Sequence, residues 1–314
     1  MSKIASTFSR LVRFVPRSNR SSILIGEPVD PKLDVGLALY QGKDVPVHPF
    51  SGKSVLSPGQ RTEKTEIIER LLSPLAQNEV GSIRCIGLNY VSHAAEMKLS
   101  IPDVPTLFIK PSTSLADPWP APTILPRITQ QDNTGDYESE MVIVIGRDAK
   151  DVSEEEALDY VLGYTASNDI SSRTSQMNQS QWCFSKGFDT ACPIGPVIVS
   201  AAQFPDASQF KIRGLKNAQV LQDCPLTCAL PSNPSILSTE AKNENSDLIF
   251  SVPKLISFLS QGTTLPAGTI ILTGTPPGVG AAKDPKEFLK AGDEFAVELL
   301  PHVGTLITKF KNQQ

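Results

Sequence analysis

This 314-residue chain has little of what defines several protein classes. Its five cysteines include no CxxC pair, so neither a zinc knuckle nor a disulfide framework is indicated. No apolar stretch approaches the roughly 18 residues that a membrane helix needs, so no membrane partner is expected. The net charge of -4 comes without a basic run, which argues against nucleic acid as a partner. We therefore expect a reduced, intracellular protein.

The composition is that of an ordinary globular protein, with 40% hydrophobic and 20% charged residues. We expect a small, β-rich N-terminal domain over residues 1–78 and a larger domain over residues 79–314. The first 25 residues hold five basic residues and no acid, as in a mitochondrial presequence. Alternatively, Arg10–Val15 and Ser22–Gly26 are the first two strands. We expect a cytoplasmic protein and keep a mitochondrial location open.

Hydrophobic patterning predicts an α+β fold that is mainly β. Helices are predicted where apolar residues recur at three and four positions or where a capping box begins, at 62–75, after 153–156 and at 253–260. Strands are predicted at 34–40, 141–145, 162–167, 268–273 and, as a closing hairpin, 294–310. Many Pro and Gly turns separate them, as in an irregular, mainly β domain.

Two glutamates lead directly into a strand in the stretch DYESEMVIVIG. Met141–Ile145 is apolar and β-branched, as in a strand buried on both faces. Glu138 and Glu140 stand two apart, so their carboxylates point to the same side, and Asp169 follows the next predicted strand. Three carboxylates without His or Cys suit Mg²⁺, Mn²⁺ or Ca²⁺ rather than zinc. Taken alone, such a pair is more often simply solvated.

A histidine and a glutamate follow another predicted strand, in IGLNYVSHAAE. His93 and Glu96 are three apart on a short predicted helix that Ser92 would cap, so they can hydrogen-bond. The carboxylate would orient the imidazole while the ring takes a proton from water. The alternative is a surface histidine with a chance acidic neighbour. The chain has only two other histidines, His48 and His302.

Two further stretches carry polar groups in apolar surroundings. Lys186 lies in the aromatic run WCFSKGFD, where it could bind a substrate carboxylate or extend to the surface. The loop TGTPPGVG follows a predicted strand but lacks the spacing of a nucleotide-binding loop. The segment Cys224–Asn245 has three prolines and no periodicity, so we expect it to be functional, disordered or an insertion.

Taken in order, IGLNYxxHAxE, PTLFIKP, DYESEMVIVIG, GYTASNDISSR, SKGFDTACPIGP and ILTGTPPGVG resemble the fumarylacetoacetate hydrolase family from about Ile83 onwards. The resemblance implies a mixed β-sandwich roll with a small N-terminal domain, and usually a homodimer. It implies metal binding by Glu138, Glu140 and Asp169, preferably of Mg²⁺ or Mn²⁺. The stretch between Gln222 and Ile249 is about twenty residues longer than in the family pattern.

The same resemblance implies catalytic and substrate-binding residues. The catalytic residues would be His93, Glu96 and Lys186, and the substrate pocket would be lined by Arg173, Gln176, Lys110 and Thr275. The implied activity is metal-dependent hydrolysis of a C–C bond in a 2,4-dioxo acid such as an acylpyruvate, fumarylpyruvate or fumarylacetoacetate. The alternatives are an oxaloacetate tautomerase or decarboxylase, a dienedioate isomerase, and a non-catalytic metal-binding protein.

Overall fold

A computed structural model describes residues 7–204, 206–226 and 247–314. The strands in these ranges are β1 (Arg10–Pro16), β2 (Leu24–Pro28), β3 (Pro46–Pro49), β4 (Glu66–Leu72), β5 (Ile83–Ile86), β6 (Leu107–Lys110), β7 (Leu115–Ala116), β8 (Pro122–Leu125), β9 (Gly135–Asp136), β10 (Ser139–Ile145), β11 (Val161–Asn168), β12 (Ser171–Ser172), β13 (Cys192–Ser200), β14 (Lys211–Lys216), β15 (Gln219–Pro225), β16 (Ile270–Leu272), β17 (Glu294–Leu300) and β18 (Gly304–Asn312). The α-helices are α1 (Val35–Tyr40), α2 (Val91–Glu96), α3 (Arg127–Asp132), α4 (Arg173–Met177), α5 (Cys183–Lys186) and α6 (Val252–Ser260). Because strands outnumber helices, the predicted α+β, mainly β class is confirmed.

Two sheets pack against each other around the core. The larger sheet has the order β2-β3-β4-β1-β13-β11-β10-β16-β5-β6, and the smaller has the order β15-β14-β17-β18-β8. Every residue of β10 and β11 is buried, because the smaller sheet covers one of their faces and a second apolar cluster covers the other. This explains the unbroken apolar run that identified β10 in the sequence.

The strands of the N-terminal segment continue the large sheet. Strand β1 pairs with β2 and β4 on one side and with β13, from the larger predicted domain, on the other. The structure thus confirms the predicted strands near residues 10 and 24. The division at residue 78 remains a prediction.

Two predicted elements have the opposite secondary structure. The segment predicted as a helix at 62–75 contains strand β4, and the segment predicted as a strand at 34–40 forms helix α1. In the first case, pairing with β1 overrides the helical spacing of the apolar residues. In the second, the Asp34 carboxylate accepts a hydrogen bond from the Leu37 amide and so caps a helix.

Of the other predicted elements, one is confirmed in part and two are confirmed. The capping contact between Ser153 and Glu156 forms, but a short 3₁₀-helix (Ala157–Tyr160) follows it instead of an α-helix. Helix α6 and the β17–β18 hairpin are confirmed. Most of the predicted insertion lies outside the described residues. None of the described helices is long and apolar enough to cross a membrane.

Candidate active site

Three carboxylates meet where β10 begins and β11 ends. These strands are antiparallel, with Ser139 opposite Asn168, so the flanking residues Glu138 and Asp169 face each other. The Asp169 amide donates to the Glu138 carbonyl at 2.9 Å. One carboxylate oxygen from each of Glu138, Glu140 and Asp169 lies within 4.8 Å of the others, and all three residues are buried. The strand register therefore explains how the acids converge.

Three cations from separate elements surround two of these acids. The ammonium of Lys186, on α5, donates to Glu138 at 2.6 Å and to Asp169 at 2.7 Å. Arg173, on α4, forms an ion pair with Glu138 at 2.7 Å, and Lys110, on β6, donates to Asp169 at 2.5 Å. Glu138 and Asp169 are thus neutralised by the protein itself.

Glu140 differs from its two neighbours because no cation among the described residues forms an ion pair with it. The amide of Gly274 donates to it at 2.6 Å. Burial, followed by the charges of Asp169 and Glu138, raises the pKa of Glu140 well above its usual value. Burial also opposes ionisation of Glu138, but Lys186 and Arg173 outweigh it and lower that pKa.

The missing positive charge beside Glu140 gives a test of whether a metal fits. A divalent cation among the three oxygens would supply this charge, and an all-carboxylate set suits a hard cation such as Mg²⁺. Side chains from α4, α5 and β6 contact the cluster and can restrict the positions of its carboxylates. The residues present therefore fit a divalent metal, and binding itself remains a prediction.

His93 and Glu96 lie together on helix α2. The Nδ1 atom of His93 is 3.0 Å from Oε2 of Glu96, and His93 is buried. The other oxygen of Glu96 accepts a hydrogen bond from the Gly278 amide at 2.9 Å. The predicted pair is thus formed, with its carboxylate held at both oxygens.

The N-terminus of α2 is held by a residue that the sequence did not single out. The predicted cap was Ser92, but Tyr90 occupies that position and its side chain makes no capping bond. Instead, buried Asp247 accepts from the Ser92 amide and hydroxyl, and its carbonyl accepts from the Val91 amide at 3.0 Å. In the sequence, the feature that could have drawn attention to Asp247 is its position directly before the apolar stretch LIF.

The remaining predicted residues occupy two kinds of position. Arg173 and Gln176 are partly exposed, and the guanidinium of Arg173 donates to Gln176 at 2.9 Å. Lys110 and Thr275 are buried: Lys110 also donates to the Ala191 carbonyl at 2.6 Å, and Thr275 donates to the Ser139 carbonyl at 3.0 Å. Of these four residues, Arg173 contacts the acidic cluster through Glu138, and Lys110 contacts it through Asp169.

Asp136 and Gln222 are functional candidates that the sequence analysis missed. Buried Asp136 accepts from Arg173 at 2.8 Å and from the amides of Gly280 and Ala281 at 2.9 Å each. Buried Gln222 accepts from the Ser139 amide at 3.0 Å and donates to Thr275 at 2.8 Å. Gln222 thus connects strand β10 to the loop after β16, whereas Asp136, on β9, connects Arg173 to the amides of Gly280 and Ala281.

A family model, curated proteins and solved structures all include matches to this chain. A family model described as fumarylacetoacetate (FAA) hydrolase C-terminal matches residues 82–311. A caffeoylpyruvate hydrolase of Neonothopanus nambi is 42% identical over 321 residues, covering 100% of this chain and 97% of that protein. A mitochondrial oxaloacetate tautomerase of Xenopus laevis is 35% identical over 251 residues, covering 79% and 70% respectively. The solved 5-carboxymethyl-2-hydroxymuconate delta-isomerase of Mycobacterium smegmatis superposes with a TM-score of 0.71 at 27% identity, covering 97% of this chain and 100% of that chain.

Proposed function

This chain belongs to the fumarylacetoacetate hydrolase family, and we propose that it is a metal-dependent hydrolase of acylpyruvate-type 2,4-dioxo acids. One observation carries the proposal: a single loop, 274–278, binds both the acidic cluster and the histidine–glutamate pair. Its Gly274 amide donates to Glu140, and its Gly278 amide donates to Glu96. These two contacts support the proposal that a site for an anionic diketone and a base for water lie next to each other.

In the proposed reaction, water adds to the acyl carbonyl and the bond from that carbon to the adjacent methylene breaks. The methylene carbon keeps the electron pair and takes up the proton that His93 removed from water. The products are the carboxylic acid and pyruvate. Glu96 orients His93 through Nδ1, which leaves Nε2 to take the proton from water. Lys186 stabilises negative charge that develops on the substrate. Arg173 and Gln176 bind the substrate, while Lys110 and Thr275 line the base of the pocket.

Glu138, Glu140 and Asp169 would hold the metal, and we propose Mg²⁺ or Mn²⁺, with Ca²⁺ as the further possibility. When bound, the ion supplies Lewis-acid stabilisation of negative charge on the 2-oxo carboxylate portion of the substrate. The protein's part is to keep these carboxylates ionised and converged in a buried position. The cations Lys186, Arg173 and Lys110 do this for two of the three.

The second candidate function is oxaloacetate tautomerisation. The similarity to the oxaloacetate tautomerase of Xenopus laevis favours it. Keto–enol exchange uses the same groups to stabilise an enolate, with His93 moving a proton at carbon instead of from water. Extensive similarity along the whole chain to the caffeoylpyruvate hydrolase favours hydrolysis as the principal activity.

A paired assay separates the two candidates. Purified protein with Mg²⁺ is given acetylpyruvate, fumarylpyruvate and caffeoylpyruvate, and pyruvate release is followed with lactate dehydrogenase. In parallel, oxaloacetate is supplied as its enol, and loss of the enol absorbance is followed. Pyruvate release from an acylpyruvate supports hydrolysis. Loss of the enol without any pyruvate release would contradict hydrolysis and favour tautomerisation.

We also propose that the protein is a homodimer in the cytoplasm. Support for dimerisation comes from β6, at one edge of the large sheet, where Leu107 and Ile109 are 37% and 40% exposed. An exposed apolar edge strand is a favourable surface for association. Light scattering on the wild type and on Ile109→Lys tests this, since the substitution should shift the mass towards that of one chain.

A further inference from the structure

The second oxygen of Glu96 connects the histidine pair to the loop after β16. Oε2 contacts His93, and Oε1 accepts from the Gly278 amide at 2.9 Å. A carboxylate held at one oxygen only can rotate about its side-chain bonds, whereas one held at both has a fixed plane. The position of Gly278 therefore determines how Glu96 presents its oxygen to Nδ1.

Gly278 needs support from its surroundings because glycine has the least restricted backbone. Its φ is +109°, and a Cβ built there would lie 2.0 Å from the Leu221 carbonyl oxygen. A side chain at this position is thus excluded. The loop has to be fixed by hydrogen bonds made elsewhere in the structure.

Tyr137 supplies such a bond from the start of the acidic motif. Its hydroxyl donates to the Gly278 carbonyl at 3.1 Å, and the residue is fully buried. Its ring stacks on Phe295 at 4.5 Å between centroids, with an interplanar angle of 24°. The hydroxyl is therefore held in place by a rigid aromatic pair at the centre of the core.

We propose that Tyr137 is a positioning residue for the base: its hydroxyl fixes Gly278, the Gly278 amide orients Glu96, and Glu96 holds the proton of neutral His93 on Nδ1. The proposal rests on the proposed function for its catalytic consequence. It assigns Tyr137 a role through two intervening groups, without contact with substrate. The order of contacts is Tyr137, Gly278, Glu96, His93.

The tautomer of His93 gives a readout that does not depend on turnover. In the neutral ring, only the form protonated at Nδ1 donates to Glu96 and leaves Nε2 free as the base. With ¹⁵N-histidine labelling and Mg²⁺ present, long-range ¹H–¹⁵N spectra at high pH distinguish the two forms. The chain has three histidines, so His48 and His302 are assigned by single substitutions.

The test compares Tyr137→Phe, which keeps the stacked ring, with the matched control Tyr164→Phe. Tyr164 is also fully buried, and among the described residues its hydroxyl has no hydrogen-bond partner. We expect wild type and Tyr164→Phe to show His93 protonated at Nδ1, and Tyr137→Phe to show a mixture with the Nε2 form. An unchanged tautomer in Tyr137→Phe, or a wild type protonated at Nε2, would overturn the proposal.

Kinetics provide the second readout. In Tyr137→Phe we expect kcat to fall roughly tenfold, because about 1.4 kcal/mol, the size of one hydrogen bond such as that to the Gly278 carbonyl, corresponds to that factor, with KM changed less than about twofold. Tyr164→Phe should leave both parameters unchanged; if it lowered kcat as much as Tyr137→Phe does, loosening of the core and not loss of the Tyr137 hydroxyl would be responsible, and the proposal would be wrong. A wild type that turns over no acylpyruvate would refute the proposed function, while the tautomer would still decide the role of Tyr137.

Discussion

Replacement of Glu140 by glutamine should stabilise the metal-free protein and at the same time remove its response to metal. Burial and the neighbouring charges of Asp169 and Glu138 raise the pKa of Glu140 in the folded state. By linkage, stability is lost as the pH rises through that folded-state pKa, because ionising the group in the fold is unfavourable. Glutamine removes the charge and still accepts from the Gly274 amide, so we expect a higher melting temperature without metal.

The response to metal should change in the opposite direction. A ligand that binds only the folded state at one hundred times its Kd stabilises it by about 2.7 kcal/mol. For a chain of this size, about 2 °C per kcal/mol gives a rise of about 5 °C in the wild type. Glu140→Gln leaves two of the three carboxylates, so at the same Mg²⁺ concentration the rise should be well under half as large.

The assay is thermal melting at pH 7.5, after chelation and with Mg²⁺ added back, of the wild type, Glu140→Gln and Glu63→Gln. Glu63 is exposed, so its substitution changes the net charge equally without touching the cluster. For Glu140→Gln we expect a higher metal-free melting temperature together with a smaller rise on addition of Mg²⁺. A lower metal-free melting temperature in Glu140→Gln would refute the argument from its buried charge. A response to Mg²⁺ equal to that of the wild type would refute the assignment of Glu140 as a metal ligand.

Two further predictions concern buried charge and thiol reactivity. Lys110→Met should lower the free energy of unfolding by about 3 kcal/mol, because it removes a buried partner of Asp169. In the same denaturant titration, Lys211→Met removes an exposed ion pair and should lower it by less than about 1 kcal/mol. Equal losses in the two variants would contradict this prediction. Burial raises the pKa of Cys192 to about 11, so iodoacetamide at pH 8 should label exposed Cys183 and leave Cys192 unmodified in peptide mass spectra, and rapid labelling of Cys192 would contradict its placement.

The sequence predicted correctly those elements whose secondary structure follows from their own local pattern of apolar residues. The run 141–145 is short, apolar and rich in β-branched residues, which favours a buried strand, and the alternation of side chains along it places Glu138 and Glu140 on one side. The segment at 62–75 was misassigned because its apolar spacing fits a helix, while its pairing with β1 depends on a partner about fifty residues away. Local patterns do not reveal such partners.

Part of the site was also beyond sequence-based prediction. Asp136 acts through the amides of Gly280 and Ala281, which are 144 and 145 residues away along the chain. Asp247 supports the helix of His93 from a position 155 residues after Ser92. Backbone amides leave no signature in the sequence, so residues that bind them are recognisable only once the fold brings them together.

The most direct test of the central claim is pyruvate release from an acylpyruvate by the wild type and by His93→Ala, each with Mg²⁺, with chelator, and with Mg²⁺ restored. The account predicts release by the wild type that disappears with chelator and returns with the metal. It also predicts a rate at least roughly one hundredfold lower in His93→Ala, whose melting temperature should still rise with Mg²⁺. Release that is indifferent to chelator, or that persists at the wild-type rate in His93→Ala, would contradict it.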